Sequence, residues 1–160
     1  MKYKVTLFKN KFDTDTSSVF SYDNFDDFEK LFYDLYKLPA TKSTAPLISM
    51  ATYNAGDTRA NRNVVEWSGW CAMDVDDLVV DCTNNLDELY KVLQRICGDY
   101  QFICYSTASS RTVHPKFRLV FPLSNNVPAE KIKHFWYAIN KQLSQIGDVQ
   151  TKDLSRMFYI

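Results

Sequence analysis

Gly69-Trp70-Cys71-Ala72-Met73-Asp74-Val75-Asp76-Asp77 is an apolar run that ends abruptly in acid, and its reading decides the fold and the candidate site together. Side chains alternate along an extended strand, so Asp74 and Asp76 share one face about 7 Å apart, while Asp77 faces the other way. Two anions at that spacing repel unless a cation lies between them, and hard carboxylate oxygens suit Mg²⁺ or Mn²⁺. Two such ions about 4 Å apart can clamp the attacking and leaving oxygens of a phosphoryl transfer. Alone, the same residues also describe a solvated turn leaving a strand. Two later blocks of the chain bear on the choice.

Downstream, Tyr105-Ser106-Thr107-Ala108-Ser109-Ser110-Arg111-Thr112-Val113-His114-Pro115-Lys116-Phe117-Arg118-Leu119-Val120-Phe121 sets a loop rich in hydroxyls and cations between two apolar strands. Ser106, Ser109, Arg111, His114, Lys116 and Arg118 supply the donors and positive charge that a triphosphate needs. Arg118, inside a strand, is expected to be the strongest phosphate contact, and Lys116 shares its face by the two-residue period. A third block, Ile146-Gly147-Asp148-Val149-Gln150-Thr151-Lys152-Asp153-Leu154-Ser155-Arg156-Met157-Phe158-Tyr159-Ile160, brings two more carboxylates just before a final strand.

Around these blocks, strands alternate with single helices. Tyr3 to Phe8 alternates like a half-buried strand, and Asp13 to Asp23 reads as a polar connection. Phe25, Phe28, Leu31, Phe32, Leu35 and Tyr36 recur at helical steps, and Pro39 closes that pattern. Pro46 to Tyr53 is one expected strand. Val64 to Asp76 is extended and broken near Gly69. A helix is expected from about Asn85 to Cys97, capped by Asn85 with Glu88 and burying Leu86, Leu89, Leu93 and Ile96. Gln101–Ser106 and Lys116–Leu123 are close enough in sequence to pair antiparallel. Pro128 suits a first helical position, and Ile132, Phe135, Ile139 and Leu143 form that helix's stripe until Gly147. Arg156 to Ile160 is a last strand.

The chain has 160 residues, enough for one domain with a core spanning 1–160. Its 19 basic and 19 acidic side chains balance, so nothing drives nonspecific nucleic-acid binding and any grip on a polyanion must be local. Cys71, Cys82, Cys97 and Cys104 lack C-x-x-C spacing and read as free thiols. The N-terminus suits neither a signal peptide nor a membrane span, which leads us to expect a cytoplasmic protein, in the host cytoplasm if viral.

Taken in order, the three blocks resemble the primase-polymerase domains of the archaeo-eukaryotic primase superfamily, especially those of phage and mobile-element replication proteins. Asp74-Val75-Asp76 is similar to the family's first, metal-binding motif, and the stretch from Tyr105 through Lys116 to Leu123 to the motif that contacts the incoming nucleotide. The stretch from Gly147 to Ile160 resembles the third, in which an acid before the Arg completes the metal site. That position is Asp148, with Asp153 as the alternative. The family's second motif carries a His where this chain has Ser110, and His114 lies four residues later in the same loop. With a lead-in from Leu38-Pro39, the resemblance covers residues 38–160.

The resemblance implies an α+β fold, with an RRM-like antiparallel sheet core beside a smaller N-terminal α/β unit. It also implies a template-dependent nucleotidyltransferase, a DNA primase or polymerase, that uses Mg²⁺ or Mn²⁺ held by Asp74, Asp76 and Asp148. Its partners would be nucleoside triphosphates, a single-stranded DNA template, and a helicase domain or other replication proteins. The apolar strand at which the sequence stops suggests a domain excised from a longer replication protein. On this reading, removing Asp74 or Asp76 relieves repulsion and leaves the melting temperature unchanged or raised. The alternative is a noncatalytic nucleotide- or nucleic-acid-binding domain of the same fold. An initiator nuclease would want an H-x-H pair, whereas His114 and His134 stand twenty residues apart.

Overall fold

Three antiparallel sheets and three helices organise the chain in a computed structural model that describes residues 2–37, 44–78 and 87–160. The order is β1 (Tyr3–Phe8), β2 (Val19–Tyr22), α1 (Phe25–Tyr36), β3 (Leu47–Ser49), β4 (Ala51–Tyr53), β5 (Val64–Trp67), β6 (Trp70–Val75) and α2 (Asp87–Cys97). It continues with β7 (Ile103–Ser106), β8 (Phe117–Pro122), β9 (Val127–Pro128), α3 (Ile132–Gln142) and β10 (Phe158–Tyr159). The sheets run β10-β3-β1-β2, β4-β5-β9 and β6-β8-β7. The chain is an α+β domain built on antiparallel pairing, and β7 and β8 pair as their short connection requires.

Two bends carry strands from sheet to sheet. The single strand expected over Pro46 to Tyr53 is two, and Met50 at the break accepts a hydrogen bond from Ser68 N at 3.0 Å. At the second bend Gly69 has φ +81°, and a Cβ there would lie 2.7 Å from the Lys2 carbonyl oxygen, so both conformation and space require glycine. From that bend starts β6, in which all six residues are buried. The rings of Phe28 and Phe32 on α1 lie 5.4 and 6.0 Å from that of Trp70, whose indole N–H donates to the Lys4 carbonyl at 2.7 Å. The apolar face of α1 is thereby core, as its periodicity demands.

Asn24 caps α1 by accepting from Asp27 N at 2.8 Å, with Asp26 and Asp27 at the positive end of the helix dipole. Pro39, Asn85 and Leu86 lie outside the described residues, as does Cys82. The described part of α2 buries Leu93 and Cys97, with Leu89 and Ile96 half-covered. Pro128 ends β9 instead of opening a helix, and a 3-10 turn over Ala129–Lys131 leads into α3. The buried residues of α3 are Ile132, Trp136 and Asn140, with Phe135 and Ile139 only partly covered, a stripe turned slightly from the expected one. The supposed polar connection from Asp13 to Asp23 contains β2, an edge strand whose Val19 and Phe20 stay about half exposed, so no apolar alternation betrays it. Cys71, Cys97 and Cys104 are free; burial pushes the Cys71 thiol up to about 12 and that of Cys97 to about 11, which keeps both protonated and inert. Among the described residues no helix is long and apolar enough to cross a membrane.

Candidate active site

Neighbouring strands β6 and β8 place Asp74 directly opposite Arg118, and just past the last rung, Val75 with Phe117, Lys116 comes near Asp76. Burial of β6 puts Asp74 where a bare carboxylate would be costly, and the cross-strand guanidinium answers it. Arg118 Nε donates to Asp74 Oδ1 at 2.5 Å, with 7% of the arginine side chain and 11% of the aspartate side chain exposed. Arg118 Nη1 also donates to the Tyr105 hydroxyl at 2.8 Å and to the Tyr159 carbonyl at 2.6 Å, and the guanidinium lies 4.5 Å from the centre of the Phe158 ring. Burial works against the Arg118 charge, but Tyr105 and Asp74 outweigh it and hold the guanidinium pKa above its ordinary value. Burial also raises the Tyr105 hydroxyl, so it remains a neutral phenol.

The third block closes the same end of the sheet. Asp148 N donates to the Asp74 carbonyl at 2.7 Å, so these two acids adjoin through their backbones. Gly147 makes that approach possible: its N–H donates to Asn140 Oδ1 at 2.8 Å, and a Cβ there would sit 2.9 Å from that oxygen and 3.1 Å from Met73 Sδ. Gly147→Ala should therefore cost about 1–3 kcal/mol through overpacking. Urea unfolding would measure the loss, and unaltered stability would show that the neighbours yield freely.

Asp148 Oδ1 accepts from Gln150 N at 3.0 Å, capping the 3-10 turn over Val149–Lys152. Asp153, the alternative third acid, instead accepts from Asn61 Nδ2 at 2.6 Å. Arg156 extends a second guanidinium to the site, its Nη2 3.8 Å from Asp74 Oδ2, and its Nε is buried without a hydrogen-bond partner. In the sequence Arg156 is no more than the landmark of the third block. The signal that singles it out is a cation placed just before a short apolar strand, eight residues after an acid that adjoins Asp74.

The remaining expected residues lie along the loop between β7 and β8. Ser106 ends β7 and is exposed, as are Ser109, Arg111 and His114. Arg111 and His114 exchange backbone hydrogen bonds across a tight turn, Arg111 N to His114 O at 3.1 Å and His114 N to Arg111 O at 3.0 Å. Ser110 accepts from Lys116 N at 2.9 Å and so closes the loop on itself. Lys116 Nζ lies 3.8 Å from Asp76 Oδ2, and Asp76 is partly exposed.

This donor set does not fit a bare divalent cation as it stands. Among the described residues no three His, Cys, Asp or Glu side chains gather as a metal cage. At Asp74 the cation's position is filled by Arg118 and flanked by Arg156, and at Asp76 the nearby charge is Lys116. The expectation that Arg118 offers itself to an incoming phosphate meets the same geometry, since its Nε and Nη1 are committed inside the fold.

No protein-family model and no curated protein matches the chain. Among solved structures it is similar to the AEP domain of the cyanophage S-2L primase-polymerase (PrimPol), with 7% sequence identity and a TM-score of 0.49, over 99% of this chain and 71% of that one.

Proposed function

We propose that this chain is a nucleotide-handling domain of the primase-polymerase kind, and that it joins nucleoside triphosphates on a single-stranded DNA template. The supporting observation is the meeting of three blocks far apart in sequence at one sheet end: Asp74 and Asp76 from β6, Lys116 and Arg118 from β8, and Asp148 with Arg156 from the last segment. Acid and base alternate there within a few ångströms, as a site that must hold a polyanion next to carboxylates requires. The RRM-like sheet core with a smaller N-terminal unit, and companion replication proteins such as a helicase, belong to the same reading.

Nucleotidyl transfer of this class draws on Mg²⁺ or Mn²⁺ to neutralise phosphate charge; of the three acids expected to hold it, Asp74 is taken by Arg118, which leaves the partly exposed Asp76 and Asp148 for that role. Within the chain, Lys116 and Arg156 set fixed positive charge at the mouth of the site, while the hydroxyls of Ser106 and Ser109 and the side chains of Arg111 and His114 line the exposed loop beside it. A second reading, a noncatalytic nucleotide-binding domain of the same fold, is favoured by one observation, the buried pairing of Asp74 with Arg118.

Incorporation of labelled nucleotide on primed and unprimed single-stranded DNA, with Mg²⁺ or Mn²⁺ supplied, separates the two. The expected result is template-dependent extension that Asp76→Asn lowers by about a hundredfold or more, as loss of several kcal/mol of transition-state stabilisation requires. Triphosphate binding without extension would establish the second reading, and neither binding nor extension would overturn both.

A further inference from the structure

The geometry points to Arg118 as the resident cation of Asp74 and to Arg156 as the group that takes a ligand's phosphate, so that the free domain binds a triphosphate without a divalent ion. The nature of the ligand rests on the function proposed above; the assignment at Asp74 does not. A magnesium ion needs carboxylate oxygens at about 2.0–2.1 Å. With a guanidinium nitrogen already 2.5 Å from Asp74 Oδ1, an ion there would be pressed against a like charge. Nor is Arg118 placed to move aside, since Tyr105 and Tyr159 both accept from its Nη1 and the Phe158 ring lies against the guanidinium. Asp74 is on this view a positioning residue that fixes Arg118.

Arg156 is in the opposite condition. Its Nη2 at 3.8 Å from Asp74 Oδ2 is beyond hydrogen-bonding distance, its Nε is buried without an acceptor, and 30% of the side chain remains exposed. With no hydrogen bond holding its Nε and part of the side chain open to solvent, the Arg156 guanidinium is free to turn its exposed edge to a phosphate oxygen in a charge-assisted hydrogen bond. Lys116, held only loosely by Asp76, adds a second positive charge on the same side.

The test has two arms. Titrating the free domain with Mn²⁺ alone, followed by electron paramagnetic resonance, should show no stoichiometric site; a site that Asp74→Asn abolishes would overturn the role of Arg118. Calorimetric titration with tripolyphosphate and with a deoxynucleoside triphosphate should give affinities in EDTA within about threefold of those in Mg²⁺, and Arg156→Gln should weaken them by about tenfold or more. The melting temperature of that variant should stay within about 2 °C of the parent's. An absolute need for Mg²⁺, or unaltered affinity in Arg156→Gln, overturns the phosphate assignment. If neither probe binds under any condition the nucleotide reading itself fails, and the Mn²⁺ arm still decides the cation at Asp74.

Discussion

Replacing Asp74 with alanine is expected to destabilise the domain by about 3–5 kcal/mol, because it strands the Arg118 charge in a buried position with its strongest partner gone. For a chain of this length that is a fall in melting temperature of about 10 °C. Arg118→Ala should cost a similar amount, since it leaves the Asp74 carboxylate unpaired and also removes the donor to Tyr105 and Tyr159. The two losses should not add: with both side chains gone no isolated charge remains, and the double variant should be clearly more stable than the sum of the single effects implies. Thermal melts and urea unfolding of the three variants measure this directly. An unchanged melting temperature for Asp74→Ala would show that the pair contributes little. The sign is opposite to the one that sequence alone suggests. Repulsion between Asp74 and Asp76 would be relieved by removing either, but only if no cation were already built into the fold.

Trp136→Ala carries the second large effect. Its side chain is 1% exposed on α3, and truncating a buried aromatic of that size costs about 3–5 kcal/mol. The loss should also reach the site, because Trp136 Nε1 donates to Thr151 Oγ1 at 3.1 Å, and Thr151 Oγ1 donates to the Asp148 carbonyl at 2.6 Å. Removing the indole frees the 3-10 turn that holds Asp148 against Asp74. Amide hydrogen exchange at Asp148, whose N–H is bonded to the Asp74 carbonyl, should accelerate more than exchange within β6 and β8. Trp136→Phe keeps most of the ring and loses the donor, so it should cost only about 1 kcal/mol at the hydrogen bond, beyond the small change in packing. Equal acceleration everywhere would mean that the indole supports the core generally and the turn not at all.

The parts of the fold legible in the sequence are those in which one physical requirement acts alone. β6 and β8 are buried along nearly their whole length, so continuous apolar runs mark them, and α1 declares its buried face by helical spacing. β2 is illegible because an exposed edge strand needs no apolar alternation, and the break at Met50 because nothing in an apolar run says where it changes sheets. In α3 the polar Asn140 is buried because it serves Gly147, a partner seven residues on that helical periodicity does not reveal. At the site, the sequence marks three blocks that the fold brings to one sheet end but does not show how their charges divide. One signal is present: an arginine inside Phe117–Phe121, an otherwise apolar strand, must find a buried acid, and Asp74 is the acid set inside an equally apolar strand. Only the strand register shows that the two face each other.

Arg118 takes its partners from β6, β7 and β10, and a ribosome delivers those strands one after another. Asp74 and Tyr105 emerge before it, whereas Tyr159 follows 41 residues later, an interval of about 2–8 s at ordinary rates of synthesis. The hairpin of β7 and β8 can close within microseconds of its appearance. The nascent domain must therefore wait on its own manufacture, with one edge of β3 uncovered until Phe158 and Tyr159 arrive. Maturation of the charged centre is in this sense vectorial, sealed by β10 after the strands that hold its other partners are in place.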